Sequence, residues 1–301
     1  MAVVYDVEHS TTYTYKSPVT FGQHRAMFLP RAAGHGGRLD TYSITANVPT
    51  SIRWTRDSLS NSVALIDFAQ PTAELVVTFK FRVAHYGADG IAECPVEPRG
   101  KQFPVQYTPD EWTDLVGFMR PHADDPDGSV AAWARSFLAP AANDTAKVLR
   151  QMMDTIRDTF QYQAREAEGT QQPGETLKQK AGTCRDFAWL MIEALRALGL
   201  ACRYESGYLY DSKLDGGDVA KTGSAATHAW LTVYLPGAGW VHCDPTNRVS
   251  GGFELIPVAT ARHPAQAIPL QGSWFGAASD YVGMNVNVSI KKIAAAASPG
   301  S

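Results

Sequence analysis

Hydrophobic and polar positions alternate along the first hundred residues. From Glu74 to His85 the odd positions are Leu75, Val77, Phe79, Phe81 and Val83, while the even ones include Glu74, Thr78, Lys80 and Arg82. A period of two predicts a strand with one face in a core and the other in water. Tyr5, Val7, Thr11, Tyr13 and Tyr15 repeat the pattern, as do Tyr42, Ile44, Ala46 and Val48. Short strands separated by Pro- and Gly-rich turns predict an antiparallel β-sandwich over residues 1–100. After Glu97-Pro98-Arg99-Gly100 the period changes. Ser129–Leu138 and Asp144–Phe160 carry helical spacing, with Val148, Met152, Ile156 and Phe160 recurring at i+4 and an N-cap offered by Asn143-Asp144-Thr145. We read residues 101–145 as a helical linker, 146–290 as a second, helix-plus-antiparallel-sheet domain, and the aperiodic 291–301 as a disordered tail. The fold class expected is α+β.

The strongest helical signal begins at Gly182-Thr183-Cys184-Arg185-Asp186-Phe187. Thr183 followed three residues later by Asp186 resembles a capping box, and Phe187, Leu190, Met191, Ala194, Leu195 and Leu198 mark a broad buried face that Gly199 closes. With Thr183 as N-cap, Cys184 occupies the first helical position. Unpaired backbone N–H groups and the positive end of the helix dipole surround its sulfur there, and both favour a thiolate.

A predicted hairpin follows. In Thr227–Tyr234, Ala229, Leu231 and Val233 share one face, and His228, Trp230 and Tyr234 the other; Trp240–Thr246 is the returning strand, which Pro245 ends. The parity of the turn decides whether His228 and Asp244 meet. An even loop puts them on opposite faces. An odd loop, Pro236–Ala238 or Leu235–Gly239, sets Asp244 diagonal to His228 on one face, roughly 7–8 Å away between Cα atoms. The glycines of Pro236-Gly237-Ala238-Gly239 suit a three- or five-residue loop. A thiol at a helix N-terminus, a strand histidine and a strand aspartate supply nucleophile, base and base-orienter for acyl transfer.

Composition removes several competing functions. The 301 residues hold 27 Lys plus Arg against 30 Asp plus Glu, a net charge of −3, so no basic surplus exists to neutralise phosphates or an anionic membrane. Apolar residues make up 45% and charged residues 19%, which is globular rather than disordered composition. No apolar run reaches the roughly 18–20 residues needed to span a bilayer, and the N-terminus shows no secretory signal pattern. Four cysteines without a CxxC pair read as free thiols of a reducing compartment, so a cytoplasmic location is expected. Cys94, Cys202 and Cys243 read as structural.

The segments Gly182-Thr-Cys-Arg-Asp-Phe-Ala, Ala197-Leu-Gly-Leu-Ala-Cys-Arg-Tyr-Glu-Ser-Gly-Tyr-Leu, and His228-Ala-Trp…Gly239-Trp…Asp244-Pro-Thr-Asn resemble the bacterial transglutaminase-like superfamily. His9-Ser-Thr-Thr-Tyr-Thr-Tyr, Pro18-Val19 and His24-Arg-Ala-Met-Phe-Leu-Pro-Arg31 resemble the β-rich domain that precedes its core. The likeness covers most of residues 1 to about 275. It implies a papain-like second domain in which Cys184, His228 and Asp244 are the catalytic triad, with no cofactor or metal. Two departures stand out. His242 occupies a strand position where the family usually has something small or apolar, and Ala261-Arg-His-Pro264 replaces a Gly-Arg-Asp-Tyr segment, so the far wall of the cleft is expected to differ.

His242 shares the strand face of Asp244, which raises a zinc site with Cys184 and His228. In the odd register, however, His242 pairs with Thr232, about 13 Å along the strand from His228, too far for two ligands of one zinc. We expect it to be a partly exposed polar residue or to line the cleft. Trp230 and Trp240 are either sheet packing or a wall that keeps water from an acyl-enzyme. Asp211–Ala226, polar and Gly-rich, is either a surface loop or a lid. The Cys184 backbone N–H is the expected oxyanion donor, with Gln161 or Gln163 as further candidates. The function expected is cysteine-dependent hydrolysis of a peptide or isopeptide bond in a peptide or protein substrate. Amine transfer and a non-catalytic binding scaffold are the alternatives.

Overall fold

The computed structural model describes residues 2–31, 36–163, 169–211 and 227–293. The chain begins with strands β1 (Val3–Phe21), β2 (His24–Ala26), β3 (Gly37–Ala46), β4 (Thr50–Arg56), β5 (Ser62–Phe68) and β6 (Thr72–His85). Helices α1 (Pro109–Met119), α2 (Ser129–Arg135) and α3 (Thr145–Thr159) follow, then β7 (Gln161–Tyr162), α4 (Pro173–Gln179), β8 (Ala181–Gly182) and α5 (Cys184–Ala197). The last strands are β9 (Cys202–Leu209), β10 (Thr227–Leu235), β11 (Gly239–Cys243), β12 (Leu255–Ala261), β13 (Leu270–Gln271), β14 (Trp274–Phe275) and β15 (Tyr281–Ile293).

Two antiparallel sheets form the β-rich part, one in the order β14-β1-β6-β3 with β15 also paired to β1, the other β13-β2-β5-β4. The alternation in β6 buries Leu75, Val77, Phe79, Phe81 and Val83 against Tyr5 and Val7 of β1 and Ala64 and Ile66 of β5. Phe28 stacks on Phe79 at 3.8 Å between ring centroids. Three C-terminal strands return to these sheets: β13 pairs β2, β14 pairs the end of β1, and β15 runs beside β1 from Val4↔Ile293 to Tyr15↔Tyr281. The sequence reading kept residues up to 290 with the second domain and began the tail at 291. The observed pairing carries 270–293 back to the N-terminal sheets, and only 294–301 of that tail lie outside the described residues. Alternation had no way to reveal this, because it reports a strand and not its partner.

The second part is a four-stranded antiparallel sheet, β11-β10-β9-β12. Helix α5 packs across the face carrying Ala229, Leu231, Val233, Val241 and Cys243, and α3 extends that core through Val148, Leu149, Met152 and Ile156. Where β9 ends and β12 begins, Tyr208, Ile256 and Val258 enter the core of the β-rich sheets. His9 from the N-terminal motif is buried there, bridging Tyr208 Oη through Nδ1 and Thr11 Oγ1 through Nε2, each at 3.1 Å. Arg31, which ends that motif, donates to the Leu59 carbonyl and to Asn61 Oδ1, while Asn61 donates to the Thr260 carbonyl of β12. The motif residues thus fasten the two parts together.

Candidate active site

Helix α5 starts where the sequence places it. Thr183 is the N-cap and Cys184 the first helical residue. The Asp186 carboxylate reaches back to accept the Thr183 backbone N–H at 2.8 Å and its hydroxyl at 2.9 Å, and takes the Gln171 N–H at 2.7 Å on its other oxygen. Asp186 is fully buried, so these three donors hold the first turn of α5 rigidly against the segment before α4. Gly182 lies directly beneath; a Cβ there would stand 2.8 Å from Cβ of Asp186.

The hairpin turns through three residues, Pro236–Ala238, giving the odd register: Leu231↔Cys243, Thr232↔His242, Tyr234↔Trp240. Gly237 takes φ +84°, and a Cβ there would come 2.7 Å from the Pro95 carbonyl oxygen, so only glycine suits the bend. The consequence is the contact the register allows. His228 Nε2 lies 2.8 Å from Asp244 Oδ2. Asp244 is fully buried, its Oδ1 accepting the Thr246 N–H and its Oδ2 the Asn247 side-chain amide, both at 2.9 Å. Asn247 also lies 3.4 Å from His228 Nε2. With Nε2 engaged, the other ring nitrogen is left to face Cys184.

Burial opposes charge at both ends of the Cys184–His228 pair, and mutual attraction overcomes it. For Cys184, burial pushes the thiol up, but a hydrogen bond from His228, its charge, and the Ala229 backbone N–H bring it below the ordinary value. For His228, burial pushes the ring down, yet Asp244, by charge and hydrogen bond, and Cys184 carry it up to about 10. Each group thus favours the charged form of the other, thiolate beside imidazolium. Cys202 and Cys243 are fully buried among apolar side chains, which pushes the Cys202 thiol up to about 12 and Cys243 well above its usual value, and burial raises half-buried Cys94 too. Of the four thiols, Cys184 alone is lowered.

A residue the sequence reading passed over completes the site. Strand β7 pairs in parallel with β8, with Tyr162 opposite Gly182, and the Gln163 N–H donates to the Gly182 carbonyl at 2.9 Å. Tyr162 packs edge-on against Phe187 in the first turn of α5, beside Cys184. Burial first, then the thiolate's charge and hydrogen bond, raise its pKa. Gln161 and Gln163 flank it but are exposed. No periodicity marks a two-residue strand, so only its position before the α5 motif was visible.

Trp230 is fully buried and lies nearly parallel to the His228 ring, 20° between planes and 5.9 Å between centroids. Gly207, opposite His228 on β9, makes room for it: a Cβ there would stand 2.9 Å from the indole Cη2 and collide with the Ile256 carbonyl. Trp240 is packing instead, with the Arg203 guanidinium 3.6 Å above its ring and Phe118 and Tyr234 at its edges. His242 accepts the Trp230 indole N–H on Nδ1 at 2.8 Å. Among the described residues no cluster of metal-ligating side chains forms. Ala261–Pro264 runs beside Trp189 and Arg196 of α5, where the Arg262 carbonyl accepts from Arg196 and His263 packs on Trp189. The candidate lid is described only at Asp211; residues 212–226 lie outside the described residues.

Residues 131–245 match the transglutaminase-like superfamily, and residues 5–84 the bacterial transglutaminase-like N-terminal region. The chain joins a transglutaminase-like core to a bacterial transglutaminase-like N-terminal region. A proposed cysteine protease from Cytophaga hutchinsonii shares the fold, with a TM-score of 0.71 at 20% identity over 99% of this chain and 93% of that one. An uncharacterised protein of Mycobacterium tuberculosis is 28% identical over 297 residues, 89% of this chain and 86% of its own length. A protein-glutamine gamma-glutamyltransferase of Pseudomonas aeruginosa is 31% identical over 93 residues, which is 29% of this chain and 14% of that protein. Cys184, His228 and Asp244 all fall within the matched span 131–245.

Proposed function

We propose that the protein is a cysteine-dependent acyl-transfer enzyme that hydrolyses peptide or isopeptide bonds. The observation that carries this reading is the buried group of Cys184 at the start of α5 and His228 held by Asp244 at 2.8 Å, with the Cys184 thiol lowered and the His228 ring raised. The Cys184 sulfur attacks the amide carbonyl carbon, forming a C–S bond and placing negative charge on the oxygen. The Cys184 backbone N–H, unpaired within the helix, and the Tyr162 hydroxyl beside it are the donors we assign to that oxyanion. Collapse breaks the C–N bond while the imidazolium gives its proton to the departing amine, leaving a thioester and neutral imidazole. Water then loses a proton to His228 as its oxygen attacks the thioester, and collapse expels the thiolate and restores the pair.

Hydrolysis is favoured over amine transfer by the described rim of the site. Tyr162, Arg185 and Asn247 are exposed and polar, which gives water access to the thioester. An acceptor amine would instead need a dry second pocket, where positioning can outweigh water by effective molarities of roughly 10⁵ M or more. Partition tests this. The enzyme is acylated with an activated ester in the presence of a primary amine at millimolar concentration, and acid and amide are quantified. Acid should dominate at every amine concentration; amide that saturates with amine overturns hydrolysis in favour of transfer.

A further inference from the structure

His242 takes no part in the chemistry just described, yet it is tied to it through a single intermediate side chain. Its Nδ1 accepts the Trp230 indole N–H at 2.8 Å. That bond requires a lone pair on Nδ1, so the ring carries its proton on Nε2 and is neutral. Burial, with the charge of His85 adding to it, pushes the pKa of His242 down to about 4 and keeps the accepting form present at neutral pH. The indole it holds lies against His228, nearly parallel and offset. Gly207 approaches the indole at Cη2 with backbone alone, since a Cβ there would stand 2.9 Å from that atom. The hydrogen bond to His242 is therefore the directional contact that sets the indole plane.

We infer that His242 is a positioning residue: by holding the Trp230 indole N–H it fixes the plane against which His228 packs, and through it the angle at which the imidazole meets Cys184. This builds on the acyl-transfer reading of the site. Asp244, its carboxylate held in turn by the Asn247 amide, anchors the His228 ring at one atom, Nε2, and one such bond does not by itself fix the ring plane. The flat indole removes this freedom on one side. A few tens of degrees of tilt misalign the hydrogen bond to sulfur, and such bonds weaken steeply with angle.

The test uses the full-length protein and iodoacetamide at pH 6, with site occupancy read by peptide mass spectrometry. In His242→Phe, the Cys184 alkylation rate should fall about five- to tenfold, the loss expected of one oriented hydrogen bond. His242→Asn, whose side-chain carbonyl can stand in for Nδ1, should recover to within about twofold of the parent. The deciding comparison is a double-mutant cycle with Trp230→Phe, which keeps an aromatic ring but has no N–H. In that background His242→Phe should have no further effect. An unchanged rate in His242→Phe, an equal loss in the Trp230→Phe background, or no recovery in His242→Asn overturns the inference. Should His242→Phe fail to fold, the Trp230 indole N–H resonance, assigned by its loss in Trp230→Phe, decides: it should exchange slowly in the parent and in His242→Asn, and fast exchange in the parent overturns the proposal. Failure of the underlying reading shows separately, as a parent Cys184 that alkylates no faster than an ordinary thiol at pH 6.

Discussion

Replacing Asp244 by Asn isolates the charge that the site depends on. Raising an imidazole from its ordinary 6.5 to about 10 corresponds to a preference for the charged ring of about 5 kcal/mol. Asp244 leads the influences that raise it, and burial is the opposing one. Asparagine keeps the shape but removes the charge, and its amide donates to Nε2 and leaves a proton on the nitrogen facing sulfur, the wrong tautomer for a base. His228 should then be neutral at pH 7, and Cys184, without its counter-ion, should return to 9 or above under the pressure of burial. At pH 6 a thiol of pKa 9 is about one part in 10³ thiolate. Its greater intrinsic nucleophilicity recovers roughly the square root of that factor, so alkylation should slow by about 30-fold.

The assay is the iodoacetamide rate at Cys184 from pH 5 to 10, with melting temperature as a control for folding. The parent should reach its plateau below pH 9, because its thiol is lowered, whereas Asp244→Asn should climb throughout and overtake the parent before pH 9, its thiolate being the more nucleophilic once formed. Peptide hydrolysis should fall further, by about 10³–10⁴, since it also needs the proton that the imidazolium delivers. In the parent, hydrolysis should decline again as pH rises through about 10, where His228 loses that proton. A folded Asp244→Asn protein with the parent's alkylation profile would refute the proposed pairing.

Tyr162→Phe should lower kcat for acylation by about tenfold or more while leaving Cys184 alkylation within about threefold, because it removes an oxyanion donor and not the imidazolium; equal losses in both rates would show that it acts on the thiol instead. Asp186→Ala should destabilise the fold by roughly 2–4 kcal/mol in urea unfolding, since three buried donors lose their acceptor; a change below about 0.5 kcal/mol counts against its role in fixing α5. Stability should fall as pH drops from about 6.5 to 4. Burial holds His9 at about 4, so the unfolded chain binds a proton that the native state refuses, and the stabilisation present above 6.5, about 3 kcal/mol for His9, is lost toward 4. His9→Gln should flatten that slope, and an unchanged slope would exclude His9 as its source.

The placement of Cys184, His228 and Asp244 was readable from sequence because each rests on a short-range rule. Capping chemistry puts Cys184 at a helix start, and strand parity, with one odd turn, puts His228 and Asp244 on one face. What sequence did not yield depends on contacts between distant segments. Tyr162 reaches Cys184 through a two-residue parallel pairing, too short to leave a period. Helix α4, seven residues begun by Pro173, is likewise too brief for its spacing to register. β15 alternates visibly through Val282, Met284, Val286, Val288 and Ile290, but nothing in that pattern names β1 as its neighbour. His242 was correctly separated from His228 by register, and its bond to Trp230 became visible only once the indole was oriented.

The four-stranded sheet is buried by two different neighbours. Ala229, Leu231 and Val233 pack against α5, while Tyr208 and Ile256, paired where β9 ends and β12 begins, enter the core of the β-rich sheets. Without those sheets these large apolar side chains would be exposed and the buried His9–Tyr208 hydrogen bond would lose its partner. The chain also passes back, so that β13, β14 and β15 complete sheets begun by β1 and β2. The N-terminal region is thus not a docking module tethered by a linker. Its motif residues His9 and Arg31 lie in the seam, and Asn61, held by Arg31, bonds Thr260 of β12 at the backbone in both directions. Strand β12 pairs β9, β9 pairs β10, and β10 carries His228 and Trp230. His228 is thereby connected, strand by strand, to the N-terminal sheets as well as to the core that contains Cys184.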